Sequence, residues 1–303
     1  MVRLDDGRRL NFHCVGSGSP IVVFEQGGEG MIFNWAKVSA AISAVTRVCF
    51  YDRGGFGWSD PPRYPVTALS TTDDLHALLR RKRIGGPIVL VGHSVGGFYA
   101  TVYADRFPSQ VAGLVLVDPG FTGQNLAPSL ADQANTRLGE GYLLRCAELA
   151  RLGKLTTANL SENRCFPLPD DASGADERRY ALHAIIGPNW YVAEHSQSVN
   201  YFTADERLSV SQQQARDVAR PLADLPLIVL SREHFDGAPW RSTDENQAAF
   251  ARWRAGHVAL AARSSRGRLV VVPGSGHFIQ KDRPDAVIDA VREVLATVRA
   301  DHP

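Results

Sequence analysis

Ile88-Val89-Leu90-Val91-Gly92-His93-Ser94-Val95-Gly96, continuing into Gly97-Phe98-Tyr99-Ala100-Thr101-Val102, is the stretch from which the rest of the chain is read. Four apolar residues without alternation describe a strand buried on both faces. The apolar run after Gly96 describes a helix. A sharp strand-to-helix turn between them lifts the side chain of Ser94 clear of the backbone, and the crowding this creates calls for glycine two residues before and two residues after it. The helix also points its N-terminus at the serine, which favours negative charge developing there. In this setting the pattern marks a nucleophilic serine rather than a bystander in a glycine-rich turn.

Working outward, similar short apolar runs recur at Ile21 to Phe24, Val48 to Tyr51, Leu114 to Val117, Leu227 to Leu230 and Leu269 to Val272, each bounded by turn residues. Helical patterns separate several of them. One lies near Thr71 to Arg81, opened by Ser/Thr and Asp. The last is Pro284 to Arg299, with Val287, Ile288, Val291, Val294, Leu295 and Val298 on one face. Strands alternating with helices predict an α/β fold with a doubly wound, mostly parallel sheet. The alternation stops between Phe121 and Leu222, where positions such as Tyr142, Leu143, Cys146, Leu149 and Leu152 keep helical spacing. A structureless loop of about a hundred residues is improbable, so an all-helical cap insertion is expected over 121–222, between core segments 1–120 and 223–303.

A serine nucleophile needs two preorganised N–H donors for the oxyanion, a histidine base and an acid. Val95 N–H, next to the serine, supplies one donor. Gln26-Gly27-Gly28 follows an early strand and lets backbone approach a substrate, so Gly28 N–H is the second. Of the 9 histidines, only His277 follows the final strand in a glycine turn, Val272-Pro273-Gly274-Ser275-Gly276-His277. His93 lies inside the elbow and is expected to pack beside it. For the acid, Asp118, Glu233 and Asp236 all satisfy the order serine, acid, histidine.

Together these pieces resemble the α/β-hydrolase superfamily, over everything from the oxyanion turn to the last helix except the cap. Tyr51-Asp52-Arg53-Gly54-Gly55-Phe56-Gly57-Trp58-Ser59-Asp60 resembles the D-R-x-G-x-G-x-S turn of its capped members. Two departures stand out. Gln26 replaces the histidine that usually opens the oxyanion turn, so the turn must be supported differently. After Leu230, His234 stands where the acid usually does. That usual location favours Asp236, but reaching it takes about two extra residues in the turn. Asp118, flush with the strand Leu114 to Val117 in a position some relatives use, is preferred, with Asp236 as the alternative. Serine excludes the aspartate-dependent dehalogenase and epoxide hydrolase mechanisms. The resemblance implies a serine hydrolase that cleaves a carboxylic ester, or a related acyl bond, of a small, largely apolar molecule through an acyl-enzyme. Lactone, thioester, amide and C–C hydrolysis use the same parts, and a hydrolase-fold ligand receptor with slow turnover is the rival of a different class. In the cap, Tyr142, Leu143, Ile185, Ile186, Trp190, Tyr191, Tyr201 and Phe202 either line an apolar pocket or pack the cap onto the core.

Composition narrows the remainder. With 303 residues and a formal charge of +1, the chain shows no global attraction to nucleic acid or to an anionic membrane, and no run is long and apolar enough to span a bilayer. No organic cofactor or metal is implied. The N-terminal residues Met1 to Asp6 lack a secretory pattern, which predicts a cytoplasmic protein unless a signal has been trimmed. Of the 4 cysteines, Cys14 and Cys49 sit in apolar runs and read as buried thiols, while Cys146 and Cys165 are equally compatible with a bridge or with free thiols.

Overall fold

A computed structural model describes residues 1–126, 128–168, 174–202 and 207–301. In chain order its strands are β1 (Val2–Arg3), β2 (Arg9–Leu10), β3 (Phe12–Val15), β4 (Val22–Glu25), β5 (Val48–Tyr51), β6 (Ile88–His93), β7 (Val111–Val117), β8 (Leu227–Arg232) and β9 (Gly267–Val272). The helices are α1 (Ala36–Ser43), α2 (Ala68–Arg81), α3 (Val95–Arg106), α4 (Leu130–Arg151), α5 (Ala175–Ile186), α6 (Pro188–Tyr201), α7 (Val210–Val218), α8 (Thr243–Ala261), α9 (Ile279–Asp282) and α10 (Pro284–Asp301).

Strands β3 to β9 form one seven-stranded sheet in the order β3-β5-β4-β6-β7-β8-β9. Strand β3 runs antiparallel at one edge, and all other neighbours are parallel. The non-alternating apolar runs follow from this, because side chains of successive residues leave a strand on opposite faces and here both faces are covered. Leu90 of β6, Leu114 and Leu116 of β7 and Val229 of β8 pack under Leu75, Leu78, Tyr103 and Leu260 of the helices on one side. Val89, Val91, Val115 and Ile228 pack on the other, under Val38, Ile42, Val287, Val291 and Val294. Helix α2 begins at Ala68, ahead of the expected Thr71, because Thr67 caps it through a reciprocal box with Ser70.

The chain goes from β4 outward to β5 and returns to β6 on the other side of β4. Such a reversal opens a crevice at the carboxyl ends of the two central strands, where ligands of open α/β sheets bind. Residues 25 and 92 pair across β4 and β6, 93 and 117 across β6 and β7, 117 and 230 across β7 and β8, and 232 and 272 across β8 and β9. The loops after these five parallel strands therefore leave the sheet side by side at its carboxyl edge.

Between β7 and β8 lie α4 to α7 and, among the described residues, no strand. Helix α4 packs on α6, and α7 packs on α2 and α3. The insertion is stitched to the core, since Ser211 and Gln214 of α7 accept from the Ala68 and Leu69 N–H groups at the open start of α2.

The reading of Cys14 and Cys49 as buried thiols is corrected: they form a disulfide with Cα atoms 4.1 Å apart. Their antiparallel strands place them directly opposite one another, a register that local sequence does not reveal. Cys146 and Cys165 are also bridged, with Cα atoms 5.8 Å apart.

Candidate active site

Ser94 sits at the turn between β6 and α3 with φ 54° and ψ −126°, a backbone conformation that L-residues rarely adopt. Its flanking glycines are needed for space. A Cβ on Gly96 would stand 2.1 Å from the Gln26 carbonyl oxygen, and one on Gly92 would stand 2.6 Å from the Gly96 carbonyl oxygen. The elbow is thus wedged against the oxyanion turn.

Ser94 Oγ lies 3.0 Å from His277 Nε2, and His277 Nδ1 lies 2.5 Å from Asp118 Oδ2. The carboxylate fixes the proton on Nδ1, leaving Nε2 as the acceptor facing the serine hydroxyl. Asp236 is exposed on the loop after β8, and both ring nitrogens of His277 are already engaged by Ser94 and Asp118. Glu233 instead braces the histidine turn from outside, accepting from Gly274 N–H at 2.9 Å. Asp282 does the same from α9, accepting from Gly276 N–H at 2.8 Å. His93 packs beside the elbow, its Nε2–H donating to the His277 carbonyl at 2.9 Å. Burial, with His277 alongside, lowers its pKa to about 3, so it is a neutral brace.

Asp118 has a shell that local motifs do not announce. Its Oδ1 accepts from the Arg232 N–H at 3.1 Å and from Trp253 Nε1–H at 3.0 Å. The Arg232 guanidinium reaches Oδ2 at 3.1 Å and lies over the Trp253 ring. Burial alone would push the carboxyl up, but the His277 hydrogen bond and the charges of His277 and Arg232 overcome it and bring Asp118 down to about 2. These partners favour its charged form. Arg232 carries a positional signal, since it ends strand β8 on the loop edge of the sheet, but nothing near it in sequence links it to Asp118.

The turn after β4, the expected oxyanion turn, rests on Arg53. This buried guanidinium pairs with Glu25 at 2.9 Å and donates to the carbonyls of Gln26 at 2.7 Å, Gly27 at 2.6 Å and Gly28 at 3.3 Å. These bonds hold the turn in place where Gln26 stands instead of histidine. From the insertion, Gln197 of α6 donates to the Gly28 carbonyl at 3.2 Å and to Glu194 at 2.8 Å.

Ser94, Val95, Gly28 and His277 open onto one cavity of about 790 Å³. Tyr142, Leu143, Trp190, Tyr191, Tyr201 and Phe202 line it from the insertion, together with the Cys146–Cys165 disulfide. Ile185 does not line it and is buried within the insertion's own core. Glu29 and Glu194 also face the cavity. Burial raises Glu194 to about 8, with Glu29 adding to the effect and Arg53 opposing it, so this carboxyl is mainly neutral at pH 7. Among the described residues no set of His, Cys, Asp and Glu side chains gathers as a metal site.

Comparison with known proteins agrees with this architecture. A family model described as alpha/beta hydrolase fold matches residues 20–284. An uncharacterized protein of Schizosaccharomyces pombe is 43% identical over 260 residues, which is 85% of this chain and 43% of that protein. A mouse (lyso)-N-acylphosphatidylethanolamine lipase is 35% identical over 115 residues, covering 37% of this chain and 33% of the lipase. The chain spans less than half the length of the curated relatives it matches. A thermophilic esterase from Thermogutta terrifontis superposes with a TM-score of 0.61 at 23% identity, over 98% of this chain and 97% of the esterase, a likeness of fold.

Proposed function

The chain belongs to the alpha/beta hydrolase fold family, and from that premise we propose that it is a serine hydrolase that cleaves a carboxylic ester, or a related acyl bond, of a largely apolar molecule. The observation carrying this reading is the continuous relay from Ser94 Oγ through His277 to Asp118 at the mouth of the crevice. Ser94 Oγ attacks the acyl carbon while its proton passes to His277 Nε2, and Asp118 stabilises the imidazolium. The carbonyl electrons move onto oxygen, held by the Gly28 and Val95 N–H groups. Collapse expels the alcohol, which takes the proton from His277. Water then gives its proton to the same nitrogen and attacks the acyl-enzyme, releasing the acid and restoring Ser94.

The helices over 121–222 act in this reading as a cap whose aromatic side chains choose the acyl or alcohol portion. The two disulfides favour an oxidising compartment, against the cytoplasmic expectation drawn from the N-terminal residues. The test is turnover of a p-nitrophenyl ester series graded in acyl length by the wild type and by Ser94→Ala. Turnover abolished in the variant supports the reading. A wild type that hydrolyses no member but binds apolar esters would replace it with a ligand receptor.

A further inference from the structure

Helix α4 carries apolar side chains on both of its sides. Its inner side faces the cavity with Tyr142, Leu143 and Cys146 beside Asn135, Thr136 and Glu140, and Cys146 and Ala147 are buried in the core of the insertion. Its outer side carries Leu130, Leu138 and Leu144, which are 83%, 57% and 52% exposed, and just beyond its last turn Leu152 is 47% exposed. Scattered exposed leucines are ordinary. These four, however, project at ~100° per residue into one sector of about 120°. Interleaved with them are the exposed Arg137, Arg145 and Arg151, against a single acid, Glu148, which pairs with Arg151.

We propose that the outer face of α4 docks on an anionic lipid surface, its leucines entering the boundary between headgroups and acyl chains and its arginines meeting the headgroup phosphates. Leucines that can enter the headgroup boundary beside arginines whose stems snorkel toward the phosphates suit an anionic lipid surface, whereas a second protein would have to bury these arginines against acids of its own. The chain's overall charge of +1 hides this local excess. Because α4 is itself a wall of the cavity, docking brings the cavity within about one helix diameter, ~10 Å, of the lipid. This surface goes beyond the ester hydrolase reading and does not depend on it, since binding is measured without turnover.

The test is flotation of the full chain with phosphatidylcholine vesicles containing about 30 mol% phosphatidylglycerol, compared with phosphatidylcholine alone. The wild type should float with the anionic vesicles. Leu130→Glu/Leu138→Glu should lose binding at least tenfold, and Arg137→Glu, which alters one exposed side chain, should lose it about fivefold or more. Melting temperature and hydrolysis of a soluble ester should stay unchanged in both. If the double variant fails to fold, Arg137→Glu alone decides. A wild type that does not float, variants that float equally well, or a wild-type dimer dissolved by Leu130→Glu/Leu138→Glu would each overturn the proposal, the last assigning the face to a second copy of the chain.

Discussion

Asp118 holds φ at 43°, a left-handed conformation that a non-glycine residue keeps only where its surroundings impose it. Here they do: its carboxylate is bound by His277, the Arg232 backbone and Trp253 at once. Asparagine at this position keeps the shape and loses the charge that steadies an imidazolium. Asp118→Asn should therefore lower kcat by about four orders of magnitude, and Asp236→Asn should stay near wild type. The reverse ranking in steady-state kinetics would move the acid to the loop after β8. Glu194 supplies a pH signature. It faces the Gly28 turn and Glu29, with Arg53 behind the turn and Gln197 on its own helix. Above about pH 8 it ionises and places a negative charge beside the proposed oxyanion position at Gly28, so kcat/KM should decline there. Glu194→Gln should hold its plateau to higher pH, and an identical alkaline limb in both proteins would show that Glu194 plays no part.

At the scale of elements, the proposed oxyanion turn is clamped from both sides, by Arg53 from the core and by Gln197 from α6. Losing a donor of an oxyanion hole costs about 10²–10³ in kcat, and losing only a support of one should cost less. Gln197→Ala is expected to lower kcat by about tenfold with a smaller change in KM and an unchanged fold by circular dichroism. A change confined to KM would make Gln197 a substrate contact rather than a positioning residue. The parts of the candidate site set within a few residues of one another were legible as local patterns, namely the strand-to-helix turn at Ser94, the glycines after β4 and the glycine turn around His277, all of which line one cavity. Arg53 lay in a motif that resemblance had singled out, yet its grip on three carbonyls is a tertiary fact. Arg232 and Trp253 meet Asp118 across 114 and 135 residues of chain, a distance over which periodicity and local motifs carry no information.

For the molecule as a whole, apolar runs without alternation sufficed to read a doubly wound sheet, because burial on both faces leaves that mark on each strand separately. The antiparallel edge strand β3 leaves no such mark, and with it went the pairing of Cys14 with Cys49. The two disulfides carry a stability prediction. The Cys146–Cys165 bridge spans 19 residues, and closing a loop of that size is worth about 3 kcal/mol in the chain-entropy model. Cys146→Ser/Cys165→Ser should lower the urea midpoint accordingly, and an unchanged midpoint would mean that the bridge adds nothing to the fold. In the proposed function this architecture delivers one activated serine to the crevice. The decisive measurement is treatment with a serine-directed phosphonate followed by peptide mapping. The label should fall on Ser94 alone and disappear in Ser94→Ala; label elsewhere, or label persisting in that variant, would contradict the claim.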